Sequence, residues 1–271
     1  MRSVGIWQRR NATRTSRTVK VCGLATRAVR VGGLALVVGA LAGRAAVAQP
    51  VVETRMLAGV HFVEMLTAGA KTQERLPLVV ALHPQRGDAA DFIALFQGLR
   101  TKARIIAPYA DAQNGHFGWY RGESSAAGAS GPRRAAQTLV PLLDQIHDAW
   151  PSAGKPIVVG YSQGAIVAMT LAITAPKLLS AVVSISGRLP PALFREARKT
   201  TPGPTIEIFH GELDRAVPFG ACEESVAVLK AAGFPTTAHF YPDVGHKMSR
   251  SEAQEILATL ERLLAQATPT E

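Results

Sequence analysis

Short apolar runs alternate with helical stretches along the chain from Val60 onward, and this alternation strongly limits the folds open to it. Several runs, such as 78–82 and 157–159, are apolar without interruption, as expected of strands that helices cover on both faces. Strands that alternate with helices are typical of a parallel sheet. We therefore predict an α/β fold with a mostly parallel central sheet of about seven strands and helices on both faces.

The bounds of the predicted elements follow from apolar runs, periodicity and turn residues. Strands are predicted at 60–65, 78–83, 104–108, 156–160, 181–186, 205–210 and 237–241. Helices are predicted at 88–100, 132–149, 163–174, 191–199, 219–232 and 249–265. In the last helix, Ser249 as N-cap and Glu252 three residues later form the pattern of a capping box. The long irregular stretch 110–131 is of a length that is uncommon unless the loop is functional or mobile.

Positive charge is concentrated at the front of the chain. The formal net charge is +10, yet nine of the 30 Lys and Arg residues lie in 1–48, which contains no Asp or Glu. The rest of the chain holds 21 cations against all 20 anions, so its charge is nearly balanced. Residues 49–271, with a net charge near zero, lack the excess of basic residues typical of proteins that bind phosphate backbones. The sequence therefore predicts no nucleic-acid partner.

Residues 1–48 have the layout of a secretory signal peptide. A basic region precedes the uncharged stretch 31–43, and Ala46-Val47-Ala48 follows as an A-x-A end. The 13 uncharged residues are too few for a spanning helix, which needs about 20, although an uncleaved membrane anchor is the alternative. We predict cleavage after Ala48 and a periplasmic or secreted single domain of residues 49–271. That domain would have no stable membrane span, and its export route would be Sec or twin-arginine.

Cys222 would be the only cysteine left after cleavage, because Cys22 leaves with the signal. No internal disulfide is then possible. The sequence favours a buried small hydrophobe at Cys222 and leaves a reactive thiol as the alternative.

Gly160-Tyr161-Ser162-Gln163-Gly164 is a G-x-S-x-G motif between an apolar strand and a helix. A serine on such a turn takes strained backbone angles, and flanking glycines leave room for it. The turn would lift Ser162 Oγ above the sheet. The amide of Gln163 would then lie at the positive end of the helix, near a developing oxyanion. We predict Ser162 as a nucleophile and Gln163 as an oxyanion donor.

A nucleophilic serine needs a base that a carboxylate orients, and in this kind of fold the chain order is serine, acid, histidine. Asp214 and His246 each follow a predicted strand, where an α/β sheet assembles its site. Glu212 and Asp243 are alternative acids, but Glu212 abuts the strand and Asp243 lies three residues before the histidine. Of the seven histidines, His246 alone stands late in a glycine-flanked loop after the acid.

A second oxyanion donor is expected in the loop after an early strand, here 83–88. Pro84 has no N–H, so the amide of Gln85 is the candidate and that of Arg86 is the reserve.

Aromatic residues and the loop 110–131 are candidates for the walls of a substrate pocket. Trp119 and Tyr161 are the aromatic residues in question, and a role in the core is their alternative. The sequence contains no phosphate-binding, dinucleotide-binding or zinc motif, so it predicts no cofactor and no metal.

With these residues in place, the chain resembles the phospholipase/carboxylesterase family of α/β hydrolases, which includes acyl-protein thioesterase-like enzymes and small bacterial esterases. The resemblance covers about 76–264 and is carried by five segments in the family's order. They are Leu82-His83 through Asp91-Phe92, Ala107-Pro108 with Trp119-Tyr120, Gly160-Tyr161-Ser162-Gln163-Gly164, His210-Gly211-Glu212-Leu213-Asp214 through Val217-Pro218, and Gly245-His246. The resemblance implies the α/β-hydrolase fold and a compact enzyme without a large lid domain.

The resemblance also implies roles for individual residues. These are nucleophile for Ser162, acid for Asp214, base for His246, oxyanion donors for the amides of Gln163 and Gln85, and a place near the substrate for Trp119 and Tyr120. One position departs from the family, which usually has glycine directly after the first-loop histidine where this chain has Pro84.

We expect an exported serine hydrolase, lysophospholipase-like, that cleaves small carboxylic esters through an acyl-enzyme intermediate. The compact body favours soluble, short or single-chain acyl substrates, and an exported enzyme rarely meets cytosolic acyl-proteins. One alternative is a polymer or feruloyl-type esterase of the same fold. The other is a non-catalytic hydrolase-like binding protein, against which the complete Ser-Asp-His set argues.

Overall fold

An eight-stranded sheet forms the centre of the protein in a computed structural model, which describes residues 53–113, 116–121, 128–200 and 203–267. The strands are β1 (Glu53–Leu57), β2 (Val60–Leu66), β3 (Leu78–Leu82), β4 (Arg104–Pro108), β5 (Ala112–Gln113), β6 (His116–Phe117), β7 (Ile157–Tyr161), β8 (Ala181–Ile185), β9 (Thr205–Gly211) and β10 (Thr236–Tyr241). Their order in the sheet is β1-β2-β4-β3-β7-β8-β9-β10, while β5 and β6 form a separate two-stranded ribbon. Strands β4, β3 and β7 to β10 pair in parallel, so the predicted mostly parallel sheet is confirmed.

Six α-helices connect and flank these strands in the described ranges. They are α1 (Ala89–Ile93), α2 (Ser130–Ala149), α3 (Gln163–Thr174), α4 (Phe194–Ala197), α5 (Phe219–Ala231) and α6 (Arg250–Ala267). Two of the predicted helices are shorter than expected, because α1 continues as the 3-10 segment Ala94–Gly98 and α4 follows the 3-10 turn Pro191–Leu193. Such tighter turns are common at the ends of α-helices.

Helices cover both faces of the sheet, as predicted. In β3, Val80 and Leu82 belong to a buried cluster that includes residues of α2, α3 and α5. Val79 and Ala81 belong to a second buried cluster, with residues of α1 and α6. Because successive side chains of a strand point to opposite faces, these two clusters are the two sides of one sheet.

The edge strand β1 is absent from the sequence predictions. It pairs antiparallel with β2 through a two-residue turn, Ala58 and Gly59, in which both residues have positive φ, 51° and 78°. That conformation fits the type I′ hairpin turn, which usually carries Asn-Gly or Asp-Gly, so alanine in the first position hides the signal. A buried ion pair between Glu64 of β2 and Arg104 of β4 ties the hairpin to the main sheet.

Some predictions fall partly or wholly outside the described ranges. The export signal predicted for 1–48 lies outside them entirely, and parts of the loop 110–131 do as well. In the part of the chain that the structure describes, no helix is both long enough and apolar enough to cross a membrane.

Cys222 lies in the buried cluster on the α5 side of the sheet and forms no disulfide. Burial raises the pKa of its thiol to about 12, so the reactive thiolate is scarce at neutral pH. This environment agrees with the interpretation of Cys222 as a small buried hydrophobe.

The last helix begins with the predicted capping box. Ser249 Oγ accepts a hydrogen bond from the Glu252 amide at 3.1 Å, and Glu252 Oε2 accepts one from the Ser249 amide at 3.2 Å. The Glu252 side chain is fully buried, and burial raises the pKa of its carboxyl above the ordinary value.

We expect Glu252→Gln to raise the thermal unfolding midpoint by a few degrees at mildly alkaline pH and to change it little at acidic pH. A carboxyl whose pKa is raised by folding favours the folded state when protonated, and that stability is lost as pH rises from the unfolded-chain pKa through the folded one. Glutamine keeps an acceptor for the Ser249 amide and never ionises. Circular dichroism melts at the two pH values test this, and an equal shift at both would contradict it.

Candidate active site

Ser162 lies on a sharp turn between β7 and α3. Its backbone has φ 53° and ψ −115°, a strained conformation for a residue with a side chain, and its amide donates to the carbonyl of Ile185 at 2.8 Å. A β-carbon on Gly160 would overlap the backbone of Gly164, and one on Gly164 would overlap the carbonyl oxygen of Leu82. Both glycines of the motif are therefore required by close approach of the backbone.

Ser162, His246 and Asp214 form a continuous hydrogen-bonded chain. Ser162 Oγ lies 2.8 Å from His246 Nε2, and His246 Nδ1 lies 2.7 Å from Asp214 Oδ2. The other oxygen of Asp214, Oδ1, accepts from the amides of Ala216 and Val217, each at 2.9 Å. With Nδ1–H donating to the carboxylate, Nε2 of the neutral ring is free to accept from the serine hydroxyl.

Close packing between the loops that follow β9 and β10 brings the acid to the histidine. A β-carbon on Gly211 would overlap the carbonyl oxygen of Val244, and the same carbonyl accepts from the Leu213 amide at 3.0 Å. The alternative acids Glu212 and Asp243 are both exposed, and in the described ranges neither is hydrogen-bonded to His246. The geometry therefore favours Asp214.

A second histidine, His210, lies behind the acid and was not singled out from the sequence. It is buried, with Nε2 3.0 Å from the Val217 carbonyl oxygen and 3.5 Å from Asp214 Oδ2. Burial lowers its pKa, which keeps the ring neutral at neutral pH. The sequence feature that could have pointed to His210 is its place four residues before Asp214, as the first residue of the segment His210-Gly211-Glu212-Leu213-Asp214.

Tyr161, predicted to line a pocket, contacts the histidine itself. The two rings stack with centroids 5.8 Å apart, and the Tyr161 hydroxyl donates to the His246 carbonyl at 3.3 Å. Burial raises the pKa of Tyr161, so the hydroxyl stays protonated and can donate. Tyr161 therefore restrains both the ring and the backbone of His246.

Trp119 and Tyr120 are held against the start of α3 by the side chain of Gln163. Gln163 Oε1 accepts from the Trp119 amide at 2.8 Å, and Gln163 Nε2 donates to the Tyr120 carbonyl at 3.1 Å. The indole Nε1 of Trp119 donates to the carbonyl of His83 at 2.7 Å. Trp119 is only 8% exposed, so most of its surface contacts protein. The sequence predicted an oxyanion role for Gln163 and gave no sign of this side-chain bridge.

In the loop after β3, the amides of Arg86 and Gly87 are hydrogen-bonded within the protein. The Arg86 amide donates to the Phe117 carbonyl at 2.8 Å, and the Gly87 amide donates to the Pro84 carbonyl at 2.9 Å. The Arg86 amide, the second candidate donor from the sequence, is therefore already hydrogen-bonded to the Phe117 carbonyl. The amide of the exposed Gln85 has no acceptor among the described residues. The amide of Gln163 is the first of α3 and has no partner within that helix.

A cavity of about 820 Å³ lies between the β1–β2 turn, the loop after β4 and α2. Trp119 lines it together with Tyr109 and Phe117, while Tyr120 lines a neighbouring cavity of about 630 Å³. Ser162 and His246 line neither of them. Trp119 lines both cavities, and its amide is one of the two groups that the Gln163 side chain holds.

In the described ranges, no group of three or more His, Cys, Asp or Glu side chains is placed to hold a metal ion.

The chain matches one family model and is similar to proteins named as carboxylesterases and acyl-protein thioesterases. The family model "Phospholipase/Carboxylesterase" matches residues 110–264, more than half of the chain. The chain is 28% identical over 141 residues to the carboxylesterase SOBER1 of Arabidopsis thaliana, covering 50% of this chain and 60% of that protein. It is 29% identical over 141 residues to acyl-protein thioesterase 1 of Debaryomyces hansenii, covering 49% and 60%. The match thus spans about 60% of the length of these relatives.

Solved structures share the fold of this chain. Esterase PE8 superposes with a TM-score of 0.65 at 24% identity, covering 73% of this chain and 99% of that chain. The carboxylesterase of Bacillus cereus superposes with a TM-score of 0.61 at 17% identity, covering 75% and 94%. These likenesses agree with the α/β-hydrolase fold expected from the sequence. By its fold and by the family model that matches more than half of its length, the chain belongs to the phospholipase/carboxylesterase family of α/β hydrolases.

Proposed function

We propose that the protein is a serine hydrolase that cleaves carboxylic esters through an acyl-enzyme intermediate. Ser162 is the nucleophile, His246 the base and Asp214 the acid that orients it. The observation that carries the proposal is the hydrogen-bonded chain from Ser162 Oγ through His246 to Asp214 Oδ2, built on a strained turn. The names of the relatives, carboxylesterase and acyl-protein thioesterase, support acyl transfer as the reaction.

The first half of the reaction forms the acyl-enzyme. Ser162 Oγ attacks the carbonyl carbon of the ester while its proton passes to His246 Nε2, and the carbonyl oxygen becomes an oxyanion. The amides of Gln163 and Gln85 donate to that oxyanion. The tetrahedral intermediate then expels the alcohol, which takes the proton from His246 Nε2.

The second half releases the acid. Water attacks the acyl carbon and gives a proton to His246 Nε2, and the new oxyanion collapses to free Ser162 Oγ, which recovers the proton. Asp214 accepts from His246 Nδ1–H in both halves of the reaction. It stabilises the His246 imidazolium that forms once in each half. Its carboxylate has two backbone amides and His246 as donors, which offset the cost of its burial.

The test is a turnover assay on the chain that lacks residues 1–48. We expect hydrolysis of p-nitrophenyl esters and labelling of Ser162 by a fluorophosphonate probe. Esters with acyl chains of increasing length show which chain length is turned over fastest. A thioester of matched acyl chain separates ester from thioester preference, and addition of EDTA should leave turnover unchanged. A folded protein with neither turnover nor labelling would instead be a non-catalytic binding protein.

We propose further that the protein is exported and that residues 1–48 are removed. The support is the basic region, the uncharged stretch 31–43 and the Ala46-Val47-Ala48 end. An exported esterase would rarely meet cytosolic acyl-proteins, and a compact body without a large lid domain favours soluble, short or single-chain acyl esters.

The mature chain is expected to begin at Gln49, because signal peptidases cut after an A-x-A sequence. Intact mass of the protein recovered from the extracytoplasmic fraction measures this directly. A recovered mass that still includes residues 1–48 would mean that the segment stays attached as an anchor.

A further inference from the structure

His83, at the end of β3, is a buried histidine that takes no part in the proton transfers proposed above. Its Nε2 lies 3.2 Å from the Ala110 amide nitrogen, and its Nδ1 lies 2.8 Å from the Pro84 carbonyl oxygen. A backbone N–H can only donate, so Nε2 must be the nitrogen that accepts, and Nδ1 carries the proton. The ring is thereby assigned as the neutral tautomer that donates from Nδ1 to Pro84. Burial lowers the pKa of His83 and favours the same neutral form.

The Pro84 carbonyl is therefore held by two donors. One is His83 Nδ1 at 2.8 Å and the other is the Gly87 amide at 2.9 Å. In a planar trans peptide, the C=O and the following N–H point in opposite directions. With its carbonyl turned to the His83 ring, the Pro84–Gln85 peptide points the Gln85 N–H away from that ring, and Gln85 is an exposed residue.

A flip of this peptide would have two costs. It would break the hydrogen bonds from His83 and Gly87, and it would turn the Pro84 oxygen to the side where Gln85 N–H now points. An oxygen there would repel an oxyanion. The adjacent residues could not replace Gln85, because Pro84 has no N–H and the amides of Arg86 and Gly87 already donate to Phe117 and Pro84.

We propose that His83 is a positioning residue of the oxyanion hole: its Nδ1–H fixes the Pro84–Gln85 peptide so that the Gln85 amide faces the oxyanion of acyl transfer. The inference rests on the proposed function and gives a role to a side chain that does not touch the substrate. Pro84 has no N–H of its own, so the nearest candidate donor is the Gln85 amide, and the direction of that amide depends on the orientation of the peptide that His83 holds.

The surroundings of His83 leave its ring little freedom. Trp119 lies 5.1 Å from it and Phe117 6.2 Å, measured between ring centroids, and the Trp119 indole donates to the His83 carbonyl. The Trp119 amide in turn donates to the Gln163 side chain, and the Gln163 backbone is the other proposed donor. One network of hydrogen bonds therefore braces both sides of the oxyanion hole.

The decisive comparison is between His83→Asn and His83→Leu. The asparagine NH₂ can take the place of Nδ1–H as donor to Pro84, whereas leucine fills similar space without a donor. Loss of one oxyanion donor lowers kcat by about 10²–10³-fold. His83→Leu leaves the Gly87 amide as a donor to the Pro84 carbonyl, so we expect a smaller effect. Its kcat should fall roughly 10- to 100-fold, with KM almost unchanged. Asparagine should restore most of this loss.

A trifluoromethyl ketone that forms an oxyanion with Ser162 supplies a second readout. Its affinity should fall with kcat in His83→Leu and recover in His83→Asn, because both depend on the same donor. The matched control is His147→Asn, an exposed position on α2 whose ring contacts Ser152, and it should change neither quantity. Equal losses in His83→Leu and His83→Asn would reduce the role of His83 to packing and overturn the proposal.

A measurement on the unaltered chain keeps the proposal testable where His83→Leu fails to fold. Nitrogen NMR of the ¹⁵N-labelled chain, with the His83 signals assigned by their loss in His83→Asn, should show a neutral ring protonated at Nδ1 at the pH of the assay. Protonation at Nε2, or a charged ring, would overturn the inference. Turnover by Ser162→Ala would overturn the proposed function instead, whereas an inactive Ser162→Ala beside a fully active His83→Leu would overturn only the role of His83.

Discussion

Ser162→Ala should abolish ester turnover while the fold stays intact. The residues of such a triad act as a unit, so loss of the nucleophile should lower kcat by about 10⁴–10⁶-fold. The remaining rate enhancement would come from substrate binding and the oxyanion donors alone. In the structure, Ser162 Oγ has one hydrogen-bond partner among the described residues, His246 Nε2, while the backbone amide holds the turn by donating to Ile185. Alanine keeps that backbone contact, so the thermal midpoint should change little.

Hydrolysis of p-nitrophenyl esters, fluorophosphonate labelling and a thermal melt together measure this. Ser186→Ala is the matched control, because Ser186 also has positive φ at the end of a neighbouring strand, and its buried hydroxyl has no hydrogen-bond partner in the described ranges. It should retain turnover and labelling. A Ser162→Ala protein within about tenfold of the parent in kcat would remove Ser162 from the mechanism.

The sequence predicts the centre of this fold well because its strands there carry strong local signals. Continuous apolar runs such as Leu78–Leu82 are buried on both faces, and that pattern is visible without tertiary information. The hairpin strand β1 is different, since its turn at Ala58 and Gly59 lacks the usual residues and its register depends on pairing with β2. Likewise, the buried pair of Arg104 and Glu64 depends on strand order, which no local pattern encodes.

For the site, the sequence supplies chain order and loop position but no distances. Three loops after strand ends, in the order serine, acid, histidine, predict Ser162, Asp214 and His246 as the site, and the structure places these three side chains within hydrogen-bond distance of one another in series. The order of residues says nothing about which nitrogen of His83 carries a proton, because that is set by the Ala110 amide, which lies 27 residues away in the chain. The same holds for Gln163, whose side chain finds its partners more than 40 residues away in the chain.

Asp214→Asn is expected to lower kcat at least a hundredfold, and as much as about 10⁴-fold, because it enforces the wrong tautomer of His246. The Ala216 and Val217 amides both donate to Oδ1, so an asparagine places its oxygen there and its NH₂ toward His246. The histidine must then accept at Nδ1 and carry its proton on Nε2, which faces Ser162 Oγ and can no longer take the serine proton.

Asp243→Asn is the control for the second prediction. Asp243 is exposed and lies three residues before the same histidine, so the substitution changes the local charge in the same loop without touching Nδ1. Its kcat should stay near that of the parent, and the two melts should separate catalysis from folding. If Asp243→Asn were the inactive variant and Asp214→Asn the active one, the carboxylate that orients His246 in solution would be Asp243. The hydrogen bonds of Asp214 to Ala216 and Val217 would then serve only to shape its own loop.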